Sequence, residues 1–139
     1  MPHLPREWTS YNRPGGGTFV DVLIVDDNEL NTRALQRILQ RLHCVRVATS
    51  ADAAFAAVRS HRPDVIICDF ELGDDTCIGF LRAVTDELPG VRRVLYSASR
   101  PELWTELVDD KLIDAALQKP ASTATLLAAL TQDSVTPEG

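Results

Sequence analysis

Residues 22–31 read VLIVDDNELN, and this stretch contains the pattern that decides the fold. Its first four residues end an apolar run over residues 19–25, in which Asp21 is the only polar residue. Such a run is typical of a strand covered on both faces. Two acidic residues end the run, and apolar side chains then recur at helical spacing from Leu30 to Leu42. A buried strand, a polar strand end and a helix together make one βα unit of an α/β protein.

The same alternation of strand and helix continues through the rest of the chain. Apolar runs predict further strands at residues 45–48, 65–68, 94–96 and 115–118, and helical spacing predicts helices over residues 51–60, 78–88, 102–107 and 122–130. Pro89 and Gly90 end the helix over residues 78–88, and Ser122 is placed to cap the last one. Five βα units of this length predict a doubly wound α/β domain of three layers, with a five-stranded parallel sheet between two layers of helices.

Size and composition fit one ordinary globular domain. The chain has 139 residues, of which 45% are hydrophobic and 24% charged, and its formal charge of −6 comes from acidic and basic residues mixed along the chain. Without a basic stripe we expect no direct binding of nucleic acid, and without an apolar run of about 20 residues we expect no membrane span. The N-terminus lacks the apolar core of a signal peptide and the three cysteines show no paired spacing, so we expect a cytoplasmic protein with reduced thiols.

Composition also divides the chain into three parts. Residues 1–18 contain three prolines and a Gly-Gly-Gly run, which predicts a flexible N-terminal extension. Residues 19–132 form the predicted domain, and residues 133–139 form a short C-terminal tail. Within the domain, surface positions are expected for His43, His61 and the Arg92-Arg93 pair.

Polar side chains follow four of the five predicted strands, at the points where the strands end. They are Asp26 and Asp27 after the first strand, Asp69 after the third, Ser97 after the fourth and Lys119 after the fifth. The carboxyl ends of parallel strands lie at one edge of the sheet, where open α/β sheets bind their ligands. The three carboxylates together carry a charge of −3 and the ammonium carries +1, which leaves a local charge of −2. This charge and the oxygen ligands favour a divalent cation such as Mg²⁺.

These residue types also suit the transfer of a phosphoryl group. The cation can polarise the phosphoryl group and screen its repulsion from the accepting carboxylate. Lys119 supplies a point charge for one phosphate oxygen, and the Ser97 hydroxyl can donate to another. Ala98 is small and leaves room for the phosphoryl group. The sequence therefore predicts a phosphoryl site that depends on Mg²⁺, with Mn²⁺ as an alternative ion.

Four segments of the chain resemble the signature segments of bacterial two-component response-regulator receiver domains, the CheY-like superfamily. They are VLIVDDNELN, IICDF, LYSAS and LQKP, and the resemblance extends from residue 19 to about residue 131. The intervals between site residues also fit, with 42 residues from Asp27 to Asp69, 28 more to Ser97 and 22 more to Lys119. The resemblance implies a flavodoxin-like (βα)5 fold. It also implies a signalling domain that promotes only its own phosphorylation and dephosphorylation, rather than an enzyme acting on other substrates.

The resemblance implies a role for each acidic residue of the site. Asp69 is the implied phosphoacceptor, and its carboxylate also binds the metal. Asp27 binds the metal directly, whereas Asp26 acts through a metal-bound water. The backbone carbonyl of Glu71, two residues after the acceptor, is the third implied protein ligand.

The resemblance also implies which residues contact the phosphoryl group. Ser97, Ala98 and Lys119 bind it, and the side chains of Glu71 and Ser99 flank it and tune its hydrolysis. In this family the phosphoryl group comes from a sensor histidine kinase, from a phosphotransfer protein or from a small acyl phosphate. The signal then passes to a downstream protein, and members of the family also form homodimers, so that a homodimer stays open here.

The chain departs from the family pattern at two places. Receivers usually carry an aromatic switch residue three positions before the lysine, and Ala116 stands there instead. Trp104 is a candidate substitute, but a packing or surface role explains it equally well. After the acceptor, Gly79 lies two residues later than in many family members, so that Asp74 and Asp75 are expected to be loop charges in a two-residue insertion.

Two other functions remain as alternatives. A receiver-like adaptor would bind its partner independently of phosphorylation, and the absence of an aromatic side chain at Ala116 favours it modestly. A Mg²⁺-dependent aspartyl phosphatase would also form an aspartyl phosphate, but it requires a second aspartate where Glu71 stands. The complete set of three aspartates, serine and lysine favours the phosphorylatable receiver. Few residues follow the last helix, so the chain is expected to be a single-domain regulator or a fragment of a longer one.

Overall fold

A computed structural model of the chain describes residues 19–131. The expected N-terminal extension, with Trp8 and the glycine run, and the expected C-terminal tail lie outside the described residues. The boundaries of the three parts of the chain therefore stay predictions.

The described residues form alternating strands and helices. In chain order these elements are β1 (Asp21–Val25), α1 (Glu29–Leu39), β2 (Cys44–Ala48), α2 (Ala51–Ser60), β3 (Val65–Cys68), β4 (Glu71–Leu72), β5 (Asp75–Thr76), α3 (Ile78–Glu87), β6 (Arg92–Ser97), a 3-10 helix (Pro101–Trp104), α4 (Thr105–Asp109), β7 (Ala115–Gln118) and α5 (Thr123–Thr131). Five strands make one parallel sheet in the order β2-β1-β3-β6-β7, so the predicted doubly wound, flavodoxin-like fold is confirmed. The chain leaves β1 toward one side for β2 and returns to the other side for β3, which makes the β1–β3 boundary the expected ligand position.

The sheet has a hydrophobic core on each face, and alternate strand residues supply the two cores. In β1, Leu23 and Val25 pack on the face covered by α2, α3 and α4. Val22 and Ile24 pack on the opposite face, which α1 and α5 cover. All four side chains are at most 1% exposed, which explains why this central strand has no polar residue between Asp21 and Asp26.

The first helix is shorter than its sequence pattern predicts. It ends at Leu39, and the backbone N–H groups of Leu42 and His43 both bond the Leu39 carbonyl as the chain turns away. Leu42 is therefore outside the helix and 43% exposed, and Leu30 in the first turn is 77% exposed. The apolar periodicity was correct from the first turn of the helix and wrong only at its C-terminal end.

The region between β6 and β7 also differs from the prediction of one helix over residues 102–107. A 3-10 turn begins at Pro101, and α4 then runs for only five residues. Lys111 adopts a left-handed backbone with φ of 56°, which stops the helix. Helical structure was predicted at the right place, but its geometry and limits were not.

The segment after Asp69 is a β-hairpin rather than the expected loop. Strands β4 and β5 pair antiparallel, with Leu72 opposite Asp75, and Gly73 turns the chain with φ of 67°. Glycine adopts this left-handed conformation without steric cost, which suits it to the turn. Asp74 and Asp75 are exposed, as expected of loop charges.

Two expected surface residues are buried by polar contacts with the backbone. Arg93 is 7% exposed, and its guanidinium donates to the carbonyls of Leu112 and Val91, both at 2.9 Å. His43 is 9% exposed, and its Nδ1 accepts the N–H of Val20 at 3.3 Å. The surface prediction for both was wrong because sequence alone does not reveal which carbonyls and amides will surround a polar side chain.

A second polar cluster lies at the amino end of β1, opposite the predicted site. Asp21 is 2% exposed and accepts from His61 Nε2 at 2.7 Å. Arg46 donates to the carbonyls of Ala57 and His61, which ties β2 to the end of α2. Burial raises the pKa of Asp21, although the positive charges of Arg46 and His61 oppose this.

None of the helices in residues 19–131 has the length and apolar character needed to span a membrane.

Candidate functional site

Three carboxylates meet at the carboxyl edge of the sheet. The register of β1 and β3 places Val25 beside Cys68, so Asp26 and Asp69 are the first residues past the ends of two neighbouring strands. Carboxylate oxygens of Asp26, Asp27 and Asp69 all lie within 4.8 Å of one another. Asp26 is buried, Asp69 is partly buried and Asp27 is exposed, so the cluster is open to solvent on one side.

A backbone amide orients each of the three carboxylates. The accepting oxygens are Oδ1 of Asp26, from the N–H of Asn28 at 2.9 Å, Oδ2 of Asp27, from Gly73 at 3.0 Å, and Oδ1 of Asp69, from Phe70 at 2.7 Å. Each carboxylate keeps a second oxygen for other partners. These hydrogen bonds from backbone N–H groups thus hold the carboxylate planes in place without neutralising their charge.

Lys119 reaches into this cluster from the end of β7. Its Nζ donates to Asp26 Oδ2 at 2.7 Å and to Asp69 Oδ2 at 3.2 Å. Burial lowers the pKa of Lys119, but its hydrogen bond to Asp26 and the negative charge of Asp69 outweigh this effect, so the pKa lies above its usual value. The lysine is therefore a fixed positive charge, and the four residues keep a net charge of −2 (−3 + 1).

The donor set suits a hard divalent cation. All three nearby ligand groups are carboxylates, and the exposed side at Asp27 leaves space for the waters that Mg²⁺ retains. A cation would also offset the residual charge, which is costly for a partly buried cluster. Glu71 opens β4 with an exposed side chain, two residues after Asp69. The use of its carbonyl as a ligand stays a prediction.

Ser97 lies at the bottom of the site, at the end of β6. It is 1% exposed, and its Oγ lies 3.0 Å from Ser99 Oγ and accepts the N–H of Ser99 at 3.2 Å. Ala98 between them is exposed. Lys119 is held on the neighbouring strand by its own N–H, which donates to the Ser97 carbonyl at 2.9 Å.

Ser99 has a partner that the sequence did not indicate. Its Oγ accepts from Trp104 Nε1 at 2.8 Å, which joins the 3-10 helix to the end of β6. Trp104 is 5% exposed, so its surface reading was wrong. The five-residue interval between serine and tryptophan carries no recognisable motif, and only the 3-10 turn brings the two side chains together.

Ala116 lies beside this tryptophan. Both residues are buried, and they line an open cavity of about 390 Å³. The other residues at this cavity are Pro101, Thr105, Val108, Asp109 and Gln118. The alanine therefore leaves space on the face between α4 and β7, and the bulky ring nearest to that space comes from the 3-10 helix.

Cys68 precedes Asp69 and is fully buried, as expected for a small apolar residue. Burial raises its pKa well above the usual thiol value, and the neighbouring Cys77 adds to this effect. Thiolate chemistry next to the acceptor is thus suppressed. Cys44, Cys68 and Cys77 are all free thiols.

The same region of the chain is similar to known proteins. Residues 22–131 match the family model described as the response regulator receiver domain. Over 115 residues the chain is 30% identical to a protein-glutamate methylesterase/protein-glutamine glutaminase 2 of Anaeromyxobacter dehalogenans, and the match covers 81% of this chain and 33% of that protein. The chain thus spans about a third of the length of that relative.

Solved structures give the same result for the fold. A response regulator from Burkholderia pseudomallei, determined with a phosphorylated aspartic acid, a calcium ion and citrate, is 29% identical with a TM-score of 0.73, over 80% of this chain and 66% of that chain. The signal receiver domain of an HD domain-containing protein from Pseudomonas fluorescens also has a TM-score of 0.73, over 78% of this chain and 82% of that chain. At 24% identity, that second similarity concerns the fold alone.

Proposed function

Because the chain belongs to the response regulator receiver domain family, we propose that Asp69 accepts a phosphoryl group in a Mg²⁺-dependent reaction and that the domain relays this signal through protein contacts. The observation that carries the proposal is the group of three carboxylates with Lys119 Nζ bonded to both Asp26 and Asp69. We place the receiver domain over residues 19–132 and its activity in the cytoplasm.

The cation would be held by the carboxylates of Asp27 and Asp69 and by the backbone carbonyl of Glu71, with Asp26 acting through a bound water. Mg²⁺ is the proposed ion, and Mn²⁺ would serve in its place. When bound, the ion screens the repulsion between the incoming phosphoryl group and the carboxylates. Hydrogen bonds from backbone N–H groups keep the carboxylates of Asp26, Asp27 and Asp69 oriented. These side chains therefore need little rearrangement when the cation binds.

An oxygen of Asp69 forms the new P–O bond while the P–N bond of a donor phosphohistidine, or the P–O bond of an acyl phosphate, breaks. Lys119 Nζ already lies 3.2 Å from Asp69 Oδ2, so a phosphoryl oxygen on Asp69 comes within its reach. Ser97 donates its hydroxyl hydrogen to a second oxygen, and the exposed Ala98 leaves room for the third. The negative charge of the phosphoryl group thus meets one ammonium, one hydroxyl and the cation.

Hydrolysis of the aspartyl phosphate requires a water near the phosphorus atom. Glu71 and Ser99 are the proposed tuning residues, and their surroundings differ. The Ser99 hydroxyl is hydrogen-bonded to Trp104 and Ser97, whereas the Glu71 side chain is exposed at the start of β4. We therefore assign to Glu71 the larger influence on the attacking water.

The proposed phosphodonor is a sensor histidine kinase or a phosphotransfer protein, and the proposed target is a downstream protein. No direct contact with nucleic acid or membrane is part of the proposal, and a homodimer is compatible with it. The domain promotes only its own phosphorylation and dephosphorylation. The esterase and glutaminase activities in the name of the longer relative belong to that protein, of which this chain matches a third.

An adaptor that works without phosphorylation remains the second candidate, because Ala116 leaves the α4–β7 face without the usual aromatic side chain. The phosphatase alternative ranks lower, since Glu71 occupies the position of its second aspartate.

Intact-mass spectrometry after incubation with acetyl phosphate tests the proposal. The wild-type protein should gain one phosphoryl group in the presence of Mg²⁺ and none in EDTA. Asp69→Asn should gain none, whereas Asp75→Asn, in the exposed hairpin, should behave as the wild type. Labelling of Asp69→Asn to the wild-type level would contradict the proposed acceptor. A folded wild-type protein that gains no mass and binds no beryllofluoride would favour the adaptor.

A further inference from the structure

Three side chains form a continuous row of hydrogen bonds from the 3-10 helix to the floor of the site. Trp104 Nε1 donates to Ser99 Oγ at 2.8 Å, and Ser99 Oγ lies 3.0 Å from Ser97 Oγ. The backbone of Ser99 is fixed as well, because its N–H donates to Ser97 Oγ at 3.2 Å and its carbonyl accepts from Gln118 Nε2 at 3.3 Å. The row therefore joins an aromatic ring, a strand end and β7.

The first bond of this row has a fixed direction, and it leaves the Ser99 hydroxyl hydrogen available. An indole N–H donates and cannot accept, so Ser99 Oγ is the acceptor of the first bond. The hydrogen of Ser99 is then free to donate to Ser97 Oγ. When the Ser99 hydroxyl donates, Ser97 Oγ accepts both the N–H and the hydroxyl of Ser99, which uses both of its lone pairs. Within residues 19–131 no further partner takes the remaining hydrogen of Ser97.

We infer that Trp104 is a positioning residue for the phosphoryl site, because its indole N–H orients Ser99 and through it the hydroxyl of Ser97 toward an anion on Asp69. This inference rests on the proposed phosphorylation of Asp69. With a phosphoryl oxygen as the last acceptor, every donor in the row points toward the negative charge. Hydrogen bonds to charged groups are stronger than neutral ones, and bonds in a chain polarise one another.

The position of the ring makes the row a route from the site to the surface. Trp104 borders the 390 Å³ cavity next to Ala116, and Val108 at the same cavity is 58% exposed. The indole nitrogen is therefore hydrogen-bonded to Ser99, on the side of the proposed phosphoryl site, while the ring borders the α4–β7 face. A stronger hydrogen bond from Nε1 to Ser99 changes the forces on the indole ring, and the cavity next to the ring gives it space to move. In this way the domain couples phosphorylation to that face without an aromatic residue at position 116.

The indole N–H resonance of Trp104 in a ¹⁵N–¹H NMR spectrum tests the coupling directly. The chain has two tryptophans, and the signal lost in Trp104→Phe identifies the one required. Addition of Mg²⁺ and beryllofluoride to the wild-type protein should shift this resonance downfield, because its hydrogen bond strengthens. In Ser99→Ala the shift should be lost, and in Ser99→Thr, which keeps a hydroxyl, it should be restored. The Trp8 resonance should stay in place.

Affinity for beryllofluoride measures the positioning effect. Trp104→Phe keeps the ring and removes the donor, so it should weaken binding by about fivefold, the ratio that one net hydrogen bond produces. Trp8→Phe is the matched control and should bind as the wild type. Circular dichroism and unfolding curves of both variants separate this effect from loss of the fold.

The outcomes distinguish this inference from the proposed function. A wild-type protein that binds no beryllofluoride and gains no phosphoryl mass overturns both. A wild-type protein that binds beryllofluoride without movement of the Trp104 resonance overturns the inference alone. Equal affinities of a folded Trp104→Phe and of Trp8→Phe also overturn it, because packing of the ring would then be its whole role.

Discussion

Lys119 makes hydrogen bonds to two of the three carboxylates, and its ammonium offsets one of three negative charges. In Lys119→Ala the fold should persist, but the carboxylates of Asp26 and Asp69 lose their shared partner. We expect the free energy of unfolding in EDTA to fall by about 1–3 kcal/mol, and millimolar Mg²⁺ to restore part of it. Urea unfolding with and without Mg²⁺ measures both effects.

Arg37→Ala is the control for this comparison, since it removes an exposed cation of α1 that lies away from the carboxylates. An unchanged stability of Lys119→Ala in EDTA would mean that the two hydrogen bonds contribute little. A response of Lys119→Ala to phosphorylation that equals the wild-type response would remove its assigned role at the phosphoryl group.

Asp21 makes stability depend on pH at the other end of β1. Burial raises its pKa in the folded protein above the ordinary value of 3.8, so the folded state binds this proton more readily than the unfolded chain does. The cost of the charged form is present at neutral pH and disappears as the pH falls through the folded pKa toward 3.8. Relative to Asp21→Asn, the wild-type protein should therefore gain stability when the pH is lowered from about 7 to about 4.5.

Urea unfolding of the wild type and Asp21→Asn at both pH values checks this sign. Asp86→Asn, on the exposed side of α3, controls for the loss of one negative charge. If the stability difference between the wild type and Asp21→Asn is the same at both pH values, the raised pKa of Asp21 is wrong.

Single residues also mark the limit of the sequence analysis. Asp26, Asp27, Asp69 and Lys119 could be placed together because each follows a buried strand, and the topology of a parallel sheet then fixes their common edge. The bond between Trp104 and Ser99 could not be predicted in the same way. It depends on the rotation of a short 3-10 turn, which has no periodic pattern in the sequence.

At the scale of the elements, three helices begin with the same capping geometry. Side-chain oxygens of Asn28, Ser50 and Ser122 each accept the backbone N–H of the residue three positions later, at 3.0–3.1 Å. Such a bond satisfies one of the free amides of the first turn. The caps help explain why the starts of α1, α2 and α5 lie within two residues of the positions indicated by the sequence.

Ser50→Ala should lower the free energy of unfolding by about 1 kcal/mol, because the N–H of Ala53 loses its acceptor. Ser60→Ala, at the exposed end of the same helix, should change it by much less. Chemical unfolding of the two variants gives the comparison. Similar losses in both would show that the Ser50 hydroxyl contributes no more than a general serine effect.

The two shortest strands could not be predicted from the sequence. Strands β3 and β7 and helix α2 were predicted with their observed limits. The two strands consist mainly of buried apolar residues, and the helix is alanine-rich with a serine cap. Strands β4 and β5 have two residues each, too few for any alternation to show. Their pairing depends on the positive φ of Gly73 and on its bond to Asp27, neither of which a local pattern reveals.

For the whole molecule, the carboxylate cluster links cation binding to stability. Only the folded chain brings Asp26, Asp27 and Asp69 within 4.8 Å, so a cation that binds there stabilises the folded state by mass action. Millimolar Mg²⁺ should raise the melting temperature of the wild type, by an amount that grows with the logarithm of the ion concentration above Kd. Differential scanning calorimetry across a Mg²⁺ series measures it.

Asp27→Asn should lose most of this increase, whereas Asp74→Asn, on the exposed hairpin, should keep it. No change of the wild-type melting temperature at millimolar Mg²⁺ would count against a working metal site. An equal increase in Asp27→Asn would place the ion elsewhere on the protein.

The bond between Asp27 and Gly73 has a further consequence for the hairpin. The Gly73 amide shares the Asp27 carboxylate with the site where we place the cation, at a donor–acceptor distance of 3.0 Å. A deuterium-exchange rate at this amide therefore depends on how strongly the carboxylate is engaged. Mass spectrometry of the peptide that contains β4 and β5 would then follow occupancy of the site in the unmutated protein, from a backbone atom that takes no part in the chemistry.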